Sequence, residues 1–198
     1  MTRLAVAVLA GAGMLALVGC RQVPAPAADT AQAQAPKQSP TERGKYLAEA
    51  SAGCDDCHTP KNMGPTGPEP DMTRRLSGHP ESEQMGPPPK PAGPWMVAGA
   101  GDLTAWAGPW GISYAANLTP DQNTGLGIWT EDMFIKAIRL GKHMGQSRPI
   151  LPPMPVLVFK NMTDDDLKAI WAFLRTLPPI ANHVPEPVIN EPPAAAKK

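Results

Sequence analysis

The pentapeptide Cys54-Asp55-Asp56-Cys57-His58 constrains this chain more than any other stretch. Two thiols three positions apart can add across the two vinyl groups of one haem, and the histidine that follows can bind its iron. C-x-x-C-H is the c-type haem attachment pattern. Competing readings fail on context. A thioredoxin-like redox pair would follow a strand in a βαβ unit, and no such pattern surrounds the motif. A disulfide between Cys54 and Cys57 would close a very small, strained loop. Zinc would want four ligands, whereas His79, His143 and His183 are scattered singly. The predicted cofactor is therefore one haem c, bound covalently through Cys54 and Cys57, with His58 as an axial ligand.

Haem also answers a problem of composition. With 26 prolines and 18 glycines in 198 residues, the chain is too loop-rich to organise a core from long helices or sheets alone. A flat apolar ligand gives such a chain something to wrap. The length suits one compact domain with tails. Basic and acidic residues balance at 18 each, which excludes the strongly basic face of a nucleic-acid-binding protein.

The third cysteine, Cys20, lies at the other end of a different pattern. Arg3 precedes an unbroken apolar run from Leu4 to Val18 that closes on Leu17-Val18-Gly19-Cys20. The run is of secretory length and too short for a comfortable membrane span. It resembles the bacterial lipoprotein signal, in which the cysteine is lipidated and becomes the N-terminus. Residues 1–19 are thus expected to be a lipoprotein signal peptide and Cys20 the lipidation site. The protein is then exported and lipid-anchored on the periplasmic side of a bacterial membrane. Arg21 occupies the position at which Asp would retain a lipoprotein at the inner membrane, which favours the outer membrane. Residues 20–38, rich in Ala, Pro and Gln, read as a tether. Residues 185–198 read as a flexible C-terminal tail.

Between them, residues 39–184 form the predicted domain, framed by three helix signals. Ser39-Pro40-Thr41-Glu42 has the form of a capping box with proline at the first helical position. It opens a helix carrying Tyr46, Leu47 and Ala50 toward Gly53. Thr130 opens a second helix, with Glu131 and Asp132 in its first turn and Gly141 as its stop. Thr163 caps a third, where three aspartates meet the positive end of the dipole. Leu167, Ile170, Trp171, Leu174 and Leu177 follow at helical spacing, ahead of Pro178-Pro179. No run of alternating apolar residues signals a sheet, so the expected fold class is all-α.

The second axial ligand is sought among the methionines. Met133 sits near a helix start and reads as packing; Met162 lies just before a helix cap. Met154, in Ile150-Leu151-Pro152-Pro153-Met154-Pro155, is flanked by prolines that hold the backbone extended and limit the entropy lost in presenting a thioether. Met144 and His143 remain open as alternatives; a His143 ligand would give a bis-His haem of lower potential.

Several segments carry a more specific likeness: Asn117-Leu118-Thr119-Pro120-Asp121; Thr124-Gly125-Leu126-Gly127 with Trp129; Leu151-Pro152-Pro153-Met154-Pro155; Met162 to Leu167; and Leu174 to Pro179. Together they resemble class I cytochrome c domains, in particular those in cytochrome subunits of bacterial alcohol, gluconate and related membrane dehydrogenases. The likeness covers residues 40–60 and about 110–180. It implies a class I cytochrome c fold wrapped around a single haem, with Met154 as the sixth ligand. It also implies electron transfer without catalysis by the chain itself, as a carrier or as the electron-accepting subunit of a dehydrogenase. The implied partner is a redox protein, a dehydrogenase or a terminal acceptor. The alternative is a haem enzyme or sensor with an open iron, for peroxidase chemistry or gas binding.

Two departures from that family stand out. The chain has one C-x-x-C-H where those subunits commonly carry several. Residues 59–111 also form a long Pro/Gly-rich insertion, a length usually functional or disordered. Trp95, Trp106 and Trp110 predict that part of it is ordered, and Leu103 to Ala107 reads as a short helix. Arg74, Arg75 and His79 read as solvated surface groups. Met63, Met72, Met85 and Met96 read as gap-filling core residues, too irregularly spaced for a Cu(I) site. Tyr114, Asn117 and Trp129 suit either haem propionates or ordinary turn and core roles.

Overall fold

The computed structural model describes residues 38–88 and 94–190. The signal, Cys20, the tether up to residue 37 and the last eight residues of the tail lie outside that range. The three helices start where their caps place them. Helix α1, Pro40–Tyr46, opens on a complete capping box: Ser39 accepts from the Glu42 N–H, and the Glu42 carboxylate accepts from the Ser39 N–H. It continues as a wider π-turn through Leu47–Ser51. After Gly53, in the left-handed conformation, the single-turn helix α2 spans Cys54–His58. Helix α3, Glu131–Leu140, runs from the Thr130 cap to Gly141 at φ 63°. The one-turn helix α4, Val156–Phe159, precedes α5, Asp164–Leu174, which is capped by Thr163.

Helix α1 crosses α5 at very close range. A Cβ on Gly44 would lie 1.8 Å from the Ala169 carbonyl oxygen, so only glycine allows the approach. Leu47 and Ala48 from the α1 extension meet Leu167, Ile170, Trp171, Phe173 and Leu174 of α5 and Phe134 and Ile138 of α3 in one core. Leu76 and Leu126 complete it from the loops.

The all-α expectation is overturned. Among the described residues, two antiparallel sheets accompany five short helices, giving a mixed α/β fold. Strands β1 (Lys61–Gly64) and β2 (Gly67–Pro70) form a hairpin. Strands β3 (Ala98–Gly99), β4 (Ala105–Gly108), β5 (Gly111–Tyr114) and β6 (Val188–Ile189) form a four-stranded sheet in that order. Sequence periodicity could not reveal them. Among the described residues no strand exceeds four residues, and the buried positions of β5 are Gly111 and Ser113, so these strands offer no apolar alternation to be read. Strand β6 comes from the segment read as a loose tail and pairs Val188 with Ile112.

The insertion departs from its reading in three further ways. Leu103 to Ala107 is not a helix: Leu103 has φ 63°, Asp102 accepts from the Thr104 N–H, and β4 follows. Met63, Met72 and Met96 are exposed at 74%, 60% and 62%, and so fill no core gap. His79 is fully buried, and Arg75 is no free surface charge but bridges Glu49 and Asp55, each at 2.7 Å. Among the described residues no helix is long and apolar enough to cross a membrane.

Candidate cofactor site

Helix α2 turns two thiols and an imidazole in one direction. Cys54 and Cys57 lie one turn apart and therefore share a face. Both are free and partly buried. Burial pushes the Cys54 thiol up to about 12 and raises Cys57 as well. A nucleophilic redox pair needs the opposite shift, toward thiolate. The turn is anchored from behind. Burial alone would raise the Asp55 carboxyl, but hydrogen bonds from Arg75 and Thr59 win and hold it below the usual range. The Arg75 guanidinium also lies 5.6 Å from the Phe173 ring. One side chain thus links the α1 extension, α2 and α5.

The His58 ring is fixed by its Nδ1, which lies 2.8 Å from the Ala116 carbonyl. A carbonyl can only accept, so Nδ1 carries the proton and Nε2 presents a lone pair. Burial lowers the His58 pKa, favouring the neutral form that a metal ligand needs.

Cys54, Cys57, His58 and Met154 all line one cavity of about 600 Å³. That volume falls within the usual range for cofactor pockets. Its walls include Leu126, Phe134, Ile138, Leu167, Ile170 and Leu174, the inner faces of α3 and α5 and the loop before α3. Met144, His143 and Met162 border the same space. Thiols, a ligating imidazole with its lone pair free and an apolar wall make up a donor set that fits a covalently held macrocycle.

The Met154 loop is tied at both ends. The Ile150 N–H donates to the Gly141 carbonyl at 2.8 Å, and the Ser113 hydroxyl donates to the Pro152 carbonyl at 2.5 Å. The Pro152–Pro153 peptide bond is cis. Met154 packs, partly buried, against the core. Ser113 and Ala116, on or next to β5, are functional neighbours that sequence reasoning missed; a backbone acceptor leaves no signal in side-chain identity. Pro185, Glu186 and Pro187 line the cavity too, so the chain beyond the domain boundary drawn at residue 184 contributes to the site.

Asn117 takes the turn role. Its Nδ2 donates to the Ile180 carbonyl at 2.8 Å, and its Oδ1 accepts from the Thr119 N–H and hydroxyl. Tyr114 meets His79 at a tilt, with ring centroids 4.9 Å apart, and Trp129 meets His143 edge-on at 5.1 Å.

No protein-family model matches the chain. It is similar to several curated proteins over part of its length. It is 35% identical to the cytochrome c subunit of the quinone alcohol dehydrogenase of Gluconobacter oxydans over 83 residues, 41% of this chain and 17% of that protein. It is 36% identical to the gluconate 2-dehydrogenase cytochrome c subunit of Pantoea cypripedii over 72 residues, 36% of this chain and 16% of that protein. A nicotinate dehydrogenase component of Pseudomonas putida is 36% identical over 75 residues, 38% of this chain and 6% of that protein. The matches thus span less than a fifth of each relative's length. Over those stretches the chain is related to cytochrome c subunits of dehydrogenases.

Proposed function

We propose that this chain is a monohaem c-type cytochrome that passes single electrons on the periplasmic side of a bacterial membrane, as a carrier or as the electron-accepting subunit of a dehydrogenase. One observation carries the proposal: the two motif thiols, the oriented His58 ring and the Pro-flanked Met154 border a single apolar-walled cavity. Cys54 and Cys57 would hold haem c through thioether bonds, with His58 and Met154 as its axial ligands. When bound, that group supplies a one-electron iron couple, and His/Met ligation raises its potential. His58 is held in the ligating tautomer by Ala116. Met154 is held by a loop tied to both β5 and the end of α3. Phe134, Ile138, Leu167, Ile170 and Leu174 of α3 and α5 give the cavity an apolar wall. If His58 and Met154 both bound the iron, a substrate would have no place on it, and that would separate a carrier from a peroxidase or gas sensor. The names of the relatives support a dehydrogenase as redox partner.

Denatured protein should keep its haem and give the c-type pyridine haemochrome spectrum; haem extractable into acidic acetone overturns the covalent reading. The ferric protein should show the long-wavelength methionine-to-iron charge-transfer band. Met154→Ala should abolish the band and leave the haem attached. Survival of the band in that variant moves the ligand to Met144 or Met162. The anchor is inferred from Leu17 to Cys20. Cys20→Ala should release the protein from membranes or block its processing, and an unmodified mature N-terminus found by mass spectrometry overturns the lipoprotein reading.

A further inference from the structure

His79 stands within the insertion, fully buried, and nothing in the haem motif requires it. Its side chain and backbone belong to two linked rings of hydrogen bonds. In the first, the His79 N–H donates to the Ala115 carbonyl at 2.9 Å, and the Ala115 N–H donates to the Thr104 carbonyl at 2.8 Å. The side chains close that ring: His79 Nδ1 lies 2.7 Å from Thr104 Oγ1. Thr104 has one hydroxyl proton, and it goes to the Asp102 carboxylate at 2.5 Å. Thr104 Oγ1 thus bridges His79 Nδ1 and the Asp102 carboxylate, while His79 Nε2 lies 3.2 Å from the Glu83 carbonyl. Asp102 also accepts from the Thr104 N–H at 3.1 Å.

The second ring contains the haem ligand. The Gly78 N–H donates to the His58 carbonyl at 2.8 Å. The His58 ring in turn reaches the Ala116 carbonyl, one residue beyond the Ala115 that His79 holds. Gly78 sits at φ +81°, and a Cβ there would lie 2.4 Å from the Ala115 oxygen and 2.6 Å from the Ala116 carbonyl carbon. No side chain fits between the two strips of backbone. Thr104 and His79 are both fully buried, so neither hydrogen bond exchanges easily with water.

We propose that His79, Thr104 and Asp102 form a buried positioning relay that fixes the Ala115–Ala116 backbone against His58 and thereby sets the haem's reduction potential. The inference rests on the haem reading above. Its physical basis is the acceptor on the ligand's distal nitrogen: a firm Nδ1–H bond makes the imidazole a stronger donor to iron and favours the ferric state. Loosening Ala116 weakens that bond and raises the potential.

The test uses the mature holoprotein. Thr104→Val keeps the volume and removes the hydroxyl; Thr104→Ser restores it. Thr104→Val should shift the midpoint potential upward and speed exchange of the His58 Nδ1–H proton, followed by NMR in the reduced state. Thr104→Ser should match the wild type in both. Should Thr104→Val fail to accumulate, Asp102→Asn keeps the shape, removes the charge, and should shift both readouts in the same direction. A folded, haem-loaded Thr104→Val or Asp102→Asn with unmoved potential and exchange overturns the relay alone. A wild type lacking attached haem overturns the cytochrome reading instead. Glu83 brings a third ligand-type atom within 4.8 Å of the His79 and Asp102 atoms. Stoichiometric Zn²⁺ binding by the wild type, lost in Asp102→Asn, would make the cluster a cation site and overturn the relay.

Discussion

Helices α1, α3 and α5 each begin on a side chain that caps its own first turn, Ser39, Thr130 and Thr163, with partners three residues away. The described part of residues 59–111 is held differently. Gly78 bonds to His58, His79 to Ala115 and Thr104, Ala115 to Thr104, and Asn182 reaches back to the Ser77 and His79 carbonyls. The helical region is stabilised by local capping and a stripe of apolar side chains. The inner part of the insertion, Leu76 to His79, is buried mainly through its backbone and polar groups. A Pro/Gly-rich segment without periodicity can thus be as fixed as a helix, provided its buried polar groups find partners.

The largest effect expected of a single substitution falls in the helical region. On an exposed helix, Gly→Ala would stabilise by about 1 kcal/mol. At Gly44 the added carbon meets the Ala169 carbonyl at 1.8 Å, and the overpacking cost wins. Gly44→Ala should destabilise by about 3 kcal/mol in chemical denaturation; a neutral or stabilising result would mean that the α1–α5 crossing is looser than described.

The next effect tests the join between the regions. Arg75 comes from the insertion and pairs with Glu49 and Asp55 at the helical end, its side chain only 20% exposed. Arg75→Ala should cost about 2 kcal/mol, whereas Arg74→Ala, losing a more exposed pair with Asp71, should cost under about 0.5 kcal/mol. Equal losses would erase the distinction between a linking and a surface arginine. Lysine should not replace Arg75, because the bidentate contact with Asp55 needs the planar fork.

The smallest effect lies wholly within the insertion. Hydrogen bonds from Thr73 and then Arg74 hold the Asp71 carboxyl down at about 2, against an ordinary value of 3.8. Because the folded value is depressed, this contribution is fully present above the unfolded value and is lost as pH falls through the folded one. Acid melting curves should therefore keep falling from about pH 4 to about pH 2, and Asp71→Asn should flatten that limb slightly. An identical acid limb in the variant would show that Asp71 contributes nothing.

The C-x-x-C-H pattern was legible because it is local: Cys54, Cys57 and His58 occupy one turn. The three capped helices were legible for the same reason, as was the Leu167, Ile170, Trp171 and Leu174 stripe, all buried in α5. The sheets were not, because β5 hides glycine and serine rather than apolar side chains, and its partner β6 arrives from the far end of the described chain. Neither was the burial of His79, whose neighbours Thr104, Ala115 and Asn182 are distant in sequence.

Residue order was enough to pick out the C-x-x-C-H turn, to say where three helices begin, and which face of α5 turns inward; these follow from contacts within a few residues. Chain closure settled the rest: that the Ala116 carbonyl sets the His58 tautomer, that Ser113 holds the Met154 loop, and that the insertion supplies a buried polar strut beside the site. The physical reason is that backbone carbonyls and N–H groups are the same in every residue but proline. Which of them meet depends on how the chain folds back on itself, and no single side chain records that.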